Sequence, residues 1–143
     1  MADLKAWTVI KVAYRGDKKD LRKKAEIRPA AILTDSYVAS GEVDISGFSL
    51  VAGYFAVTQG SLTSFQYKVE QSIDDGVTWH PISADDISAS VITDTSPSYN
   101  RVLSGDANWY KVFYATGQRF RVQVKGTGTM TGSSCTVYAV GVY

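Results

Sequence analysis

Few residues in this chain have types and spacing that could do chemistry. The single histidine, His80, stands between Trp79 and Pro81, and the single cysteine, Cys135, opens a β-like apolar run. One imidazole with no serine or acid set beside it makes no nucleophilic constellation. One His and one Cys can supply neither a His-rich metal site nor an internal disulfide. Asp74, Asp75, Asp85 and Asp86 are the residue type for a calcium site or for glycoside hydrolysis. Nothing in the sequence brings them together at the separation either chemistry needs, and solvated turns account for them. The run GTGTMTG, Gly126 to Gly132, has the glycines of a phosphate loop but no following helix for the phosphate to meet, so it reads as a hairpin end. There is no G-x-S-x-G elbow, no G-x-x-x-x-G-K-[ST] loop and no paired-His signature. The expectation is a protein that is not an enzyme, with no catalytic residues, no metal and no cofactor.

One local motif is crisp. SIDDGVTW, Ser72 to Trp79, resembles the Asp box of sialidases and other β proteins, with Ser72, Asp74, Gly76, Thr78 and Trp79 at the specified positions. The physics of such a box is structural. Asp and Ser side chains satisfy turn amides, Gly permits a left-handed conformation, and Trp covers the hairpin. A single copy supports β architecture and carries no sugar cleavage.

These residues need elements to hold them, and a period of two supplies the elements. Phe65, Tyr67, Val69 and Ile73 alternate with polar residues, as do Phe120, Val122 and Val124 with Arg119, Arg121, Gln123 and Lys125. That is the pattern of a strand with one face on a core and one in water. Less strict β runs cover Trp7 to Tyr14, Leu50 to Thr58, Ile87 to Thr93, Trp109 to Ala115 and Cys135 to Tyr143. The last is apolar on both faces, as in a central strand or one covered by a partner. Turn residues stand at Asp74-Asp75-Gly76, Ser104-Gly105-Asp106 and Thr116-Gly117-Gln118, and the spacing is about ten residues per strand. The predicted fold is all-β, a jelly-roll-like antiparallel β-sandwich with a basic N-terminal arm. The one stretch with any helical character, Asp17 to Ile27 with Asp17 as cap, lacks an apolar face and reads equally as a solvated loop.

With 143 residues, the chain is sized for one core, and folding at that size buries roughly 70% of the exposed surface. No window reaches the ~18 apolar residues of a membrane span, and the charged first 15 residues are unlike a signal peptide. A soluble protein of cytoplasmic origin, with no membrane partner, is expected. From Met1 to Arg28 there are nine Lys or Arg against four acids, a surplus of five positive charges, while the remaining 115 residues carry a surplus of four negative ones. The expected organisation is a basic leader over residues 1–34 and a sandwich body over 35–143. Within the leader Lys11, Lys18, Lys19, Arg22, Lys23, Lys24 and Arg28 are the candidate partner-binding cations, directed at an acidic protein surface. No aromatic lies between Arg15 and Ser36, so the leader has no base-stacking platform and no direct nucleic-acid contact is expected.

Aromatic residues are in excess. In the adjacent pairs Tyr54-Phe55, Trp109-Tyr110 and Phe113-Tyr114, extension sends one member of each pair out of the core. Tyr54, Trp109, Tyr110, Tyr114 and Tyr138 are the candidate subunit-interface residues, since outward aromatics fit a buried protein contact.

The runs EVDISGFSLVAGYFAV, SFQYKVEQSIDDGVTWHPI and RFRVQVKGTGTMTGSSCTVYAVGV, within Glu42 to Tyr143, resemble the small jelly-roll proteins of tailed-bacteriophage virions, most closely capsid decoration (cement) proteins. That resemblance implies a non-catalytic homotrimer, made in the host cytoplasm and placed on the outer capsid surface of the virion. Its partners would be the major capsid protein, whose neighbouring subunits it clamps, and its own copies. The residues before Glu42 match no part of the pattern. Three alternatives stay open: a carbohydrate-binding jelly-roll module using Trp79 or Trp109, a phage tail, baseplate or fibre component, and a small-virus coat protein.

Overall fold

Alternating side chains send every second residue inward along most of the chain, and the result is two packed antiparallel sheets. A computed structural model describes residues 4–15, 18–82 and 98–143. The strands are β1 (Thr8–Arg15), β2 (Lys18–Ala31), β3 (Val38–Ala39), β4 (Val43–Asp44), β5 (Leu50–Thr58), β6 (Leu62–Ser72), β7 (His80–Ile82), β8 (Tyr99–Val102), β9 (Ala107–Tyr114), β10 (Arg119–Gly128) and β11 (Ser134–Val142). One sheet has the order β1-β2-β11-β5-β9. The other runs β3-β10-β6-β7, with β4 also on β10 and β8 also on β6. The architecture is a jelly-roll-like antiparallel sandwich, as the period-two pattern predicts.

Phe120, Val122 and Val124 of β10 face inward beside Val69 and Tyr67 of β6, and meet Val51, Phe55 and Val57 of β5 and Val137 of β11; all of these are buried. Strand β11 lies between β2 and β5, so both its edges are paired, and one of its two apolar faces is on the core while the other is on the outside of the sheet. Cys135, Val137 and Ala139 enter the core while Tyr138, Val140 and Val142 stand on the outside. Gly141 is required by close approach. A Cβ there would come within 2.4 Å of the Phe48 ring, and that ring in turn packs on Trp7 and Tyr143 with centroids 4.9 and 4.3 Å apart.

Three expectations need correction. The segment expected as helix or loop is part of the 14-residue strand β2, because Ala25 and Ile27 supply an inward row at strand spacing while Arg22 and Lys24 take outward positions. Asp17, its expected cap, lies outside the described residues. The division at residue 34 does not separate two packing units: β2 pairs with β11 from Ala31↔Cys135 to Arg22↔Val142, and Ala25, Ile27 and Leu33 belong to the common core. The basic stretch is therefore a pair of sheet strands, with β1 at the edge. The glycine-rich connection is shorter than expected, since β10 continues through Gly128 and keeps pairing with β6. Ile87 to Thr93, Asp85 and Asp86 lie outside the described residues.

Candidate functional site

In antiparallel ladders directly opposed residues share a face, so the registers define what the outside of each sheet presents. On the five-stranded sheet one outer row is Glu26, Tyr138, Tyr54 and Tyr110, a second is Lys24, Val140, Ala52 and Val112, and a third is Arg22, Val142, Leu50 and Tyr114. Four tyrosines and several aliphatic side chains thus form one continuous surface across β11, β5 and β9. Tyr110 is 58% exposed, Tyr114 51% and Val112 41%. The Tyr54 and Tyr110 rings stack at 5.0 Å and 19°, and with Tyr138, Ala56 and Asn108 they line an open groove of about 380 Å³. Toward β2 the surface becomes charged. The Tyr138 hydroxyl donates to Glu26, and this bond together with the nearby carboxylate pushes its pKa up. The Lys24 ammonium sits 5.3 Å from the Tyr138 ring centre.

Trp109 does not join this surface. It lies one residue out of phase with Tyr110 and turns inward, stacked on Phe55 at 5.3 Å with its indole N–H donating to the Tyr67 hydroxyl at 3.3 Å. Arg101 covers its ring at 4.4 Å. Of the expected interface residues, the registers bring Tyr54, Tyr110, Tyr114 and Tyr138 onto one face and send Trp109 to the other.

The outside of the six-stranded sheet has the opposite chemistry. Arg119 and Arg121, on the polar side of the Arg119-to-Lys125 alternation, are each engaged by a carboxylate. Arg119 Nη1 lies 3.3 Å from Glu42 Oε1 and Arg121 Nε 2.9 Å from Glu70 Oε1. Glu70 is buried, and accepts a second bond from Gln123 Nε2 at 2.8 Å. Lys68 and Lys125 approach the Tyr37 ring at 4.3 and 4.9 Å, and Gln66 bonds to Asn100 and accepts from Thr127.

The Ser72–Trp79 motif forms the corner beside this face. Ser72 Oγ donates to Asp74 Oδ1 at 2.8 Å and accepts from the Gly76 N–H at 2.9 Å; the Thr78 N–H donates to Asp74 Oδ1 at 2.8 Å, and Trp79 Nε1 donates to the Gly76 carbonyl at 3.1 Å. Gly76 has φ 86° and a Cβ there would stand 2.7 Å from Glu42 Oε1. The Thr78 backbone, then the Ser72 hydroxyl, hold the Asp74 carboxyl down at about 2. Arg121 covers the Trp79 ring at 4.3 Å, so the motif is closed in on itself. His80 is exposed at the start of β7.

The basic residues divide by position. Lys11, Arg22 and Lys24 are exposed on β1 and β2, and Lys23 approaches the Tyr143 ring at 5.5 Å. Lys18 and Lys19 pair in register with Arg15 and Tyr14. Arg28 is different and is withdrawn from the partner-binding set. It is buried, with Nε donating to the Cys135 carbonyl at 3.1 Å and Nη2 to the carbonyls of Ile32 at 3.1 Å and Ala31 at 3.3 Å. It fastens the β2 end to β11, a role that sequence charge alone does not distinguish from a surface cation. Burial pushes the neighbouring Cys135 thiol up to about 12, which leaves it a core side chain rather than a nucleophile. Among the described residues no group of three or more His, Cys, Asp or Glu is placed to hold a metal ion, and no helix is long and apolar enough to cross a membrane.

No protein-family model and no curated protein matches the chain. Among solved structures, the SPBc2 prophage-derived protein YomS is similar over 91% of this chain and 100% of its own, with a TM-score of 0.52 and 15% identity. The two proteins share a fold. Weaker likenesses are a CBM4 structure, with TM-score 0.41, 9% identity and coverage of 98% of this chain and 80% of that one, and infectious bursal disease virus Gx strain, with TM-score 0.31, 11% identity and coverage of 99% and 45%.

Proposed function

We propose that this chain is a non-catalytic structural protein of a phage particle that works by docking, as a capsid decoration or cement protein on the outside of the head. The observation that carries this reading is the tyrosine and aliphatic surface across β11, β5 and β9. A sheet face left to water ordinarily alternates to polar residues, as the six-stranded sheet does, and a contiguous apolar face rimmed by charge is what a protein interface needs. The fold shared with a prophage-derived protein agrees with that setting. Three copies packed through this face about a threefold axis would leave the basic strands β1 and β2 to meet an acidic patch of the major capsid protein, with Lys11, Lys18, Lys19, Arg22, Lys23 and Lys24 as its cations. Linked copies would then hold far more tightly than one.

A second reading, a sugar-binding face, is favoured by one observation, the stacked Tyr54–Tyr110 pair lining the groove. Against it, the groove is lined mainly by aromatic rings, with Asn108 and the tyrosine hydroxyls as its polar groups and no charged side chain, a lining that suits an apolar protein contact at least as well. The deciding experiment is imaging of phage heads reconstituted with the purified chain. Ordered density on the outer shell, with the tyrosine face between copies, supports the decoration reading. Empty heads together with saturable glycan binding lost in Tyr54→Ala would replace it with the second.

A further inference from the structure

We infer that the free edge of β1 accepts an extended, acidic segment of another protein, adding a sixth strand to the five-stranded sheet. Among the described residues β1 pairs on one side alone, with β2. Such an edge presents unpaired backbone N–H and C=O groups that a guest strand of opposite charge can pair with in strand addition. The register of β1 shows where a guest strand fits. It shifts between Val9 and Lys11, and is then unbroken from Lys11↔Arg22 to Arg15↔Lys18, so the straight edge is Lys11 to Arg15.

The two faces of this edge differ, and together they specify the guest. Val9 and Val12 pair with Lys23 and Leu21, which sets them on the side continuous with the core. They remain 51% and 53% exposed, because the second sheet does not extend over β1. Thr8 and Lys11 pair with Lys24 and Arg22 on the other side, making an exposed patch of three cations across two neighbouring rows. A guest strand would therefore alternate aliphatic residues, laid beside Val9 and Val12, with carboxylates on the face of Lys11, directly against Lys11 and one strand further, about 5 Å, from Arg22 and Lys24. A second copy of β1 does not fit. Strands β1 and β2 carry eight Lys or Arg against two acids, so pairing them with themselves opposes like charges. Nucleic acid fits less well than a peptide, since it would leave both the aliphatic shelf and the edge amides unused.

This inference rests on the reading of β1 and β2 as a contact to an acidic partner, though not on where that partner sits. The test is fluorescence anisotropy with a labelled ten-residue peptide of alternating Glu and Val, read alongside amide exchange over residues 11–15. The peptide should bind saturably and slow exchange there. Lys11→Glu, Lys24→Glu, or methylation of alternate peptide-backbone nitrogens should each weaken binding at least about tenfold. A folded chain that ignores the peptide, or binds its N-methylated form equally well, would overturn the proposal, as would binding of a duplex oligonucleotide in preference to the peptide. Lys68→Ala, on the outside of the other sheet, should leave peptide binding unchanged. Peptide binding without attachment to phage heads would count against the decoration reading alone.

Discussion

The outer faces of the two sheets are built from the same backbone pattern and reach opposite ends of it. On the six-stranded sheet each prominent cation has a carboxylate or aromatic ring against it: Arg119 with Glu42, Arg121 with Glu70 and Trp79, Lys68 and Lys125 with Tyr37. That surface is complete within one chain. On the five-stranded sheet the corresponding positions are Tyr54, Tyr110, Tyr114, Tyr138, Val112, Val140 and Val142, whose apolar area is left to water. The difference teaches that polar self-satisfaction stabilises a surface, whereas an apolar one waits for a second body to remove it from water. Alterations to the two faces should therefore have opposite consequences.

The largest effect is expected from charge on the tyrosine face. Tyr110→Asp or Val112→Asp should weaken association of copies by about a hundredfold or more, as for an interface centre, while thermal unfolding of the single chain shifts little; sedimentation equilibrium and calorimetry separate the two. On the other face the sign reverses. Glu70→Ala leaves Arg121 and Gln123 without their shared acceptor and should destabilise by about 1–3 kcal/mol, read by urea unfolding, with association unchanged. Glu70→Gln should lose less. Low pH gives a smaller and graded effect. Because the Asp74 carboxyl lies at about 2 in the folded chain against an ordinary 3.8, its contribution is complete above the ordinary value and is lost as pH falls toward 2. An Asp74→Asn chain followed by circular dichroism should be less stable at neutral pH and lack this acid step. The smallest effect is expected for Lys68→Ala, about 0.5–1 kcal/mol from the half-buried contact to Tyr37.

Strands with a clean period of two were legible, because one buried row is enough to fix the face: Phe65 to Val69 and Phe120 to Val124 occupy the inward positions their spacing predicts. The Ser72–Trp79 corner was legible too, since its hydrogen bonds lie within eight residues. Strand β2 was obscured because five cations crowd Gly16 to Lys24 and only Ala25 and Ile27 mark its inward row. Its pairing with β11 is a long-range fact that no local pattern contains. The side Trp109 takes is hidden for a related reason. Its row, Trp109, Lys111 and Phe113, competes with Tyr110, Val112 and Tyr114, and both are rich in apolar residues. The inward row tolerates Lys111 because its ammonium lies 5.2 Å from the Tyr99 ring. The two-residue strands β3 and β4 are too short for any periodicity.

The central claim is that the tyrosine face is a contact between copies, and the solution mass tests it most directly. Light scattering at micromolar concentration should give a species of three 15.6 kDa chains for the unaltered protein, and one of a single chain for Tyr110→Asp. A single-chain mass for both, with equal attachment of both to phage heads, would contradict it.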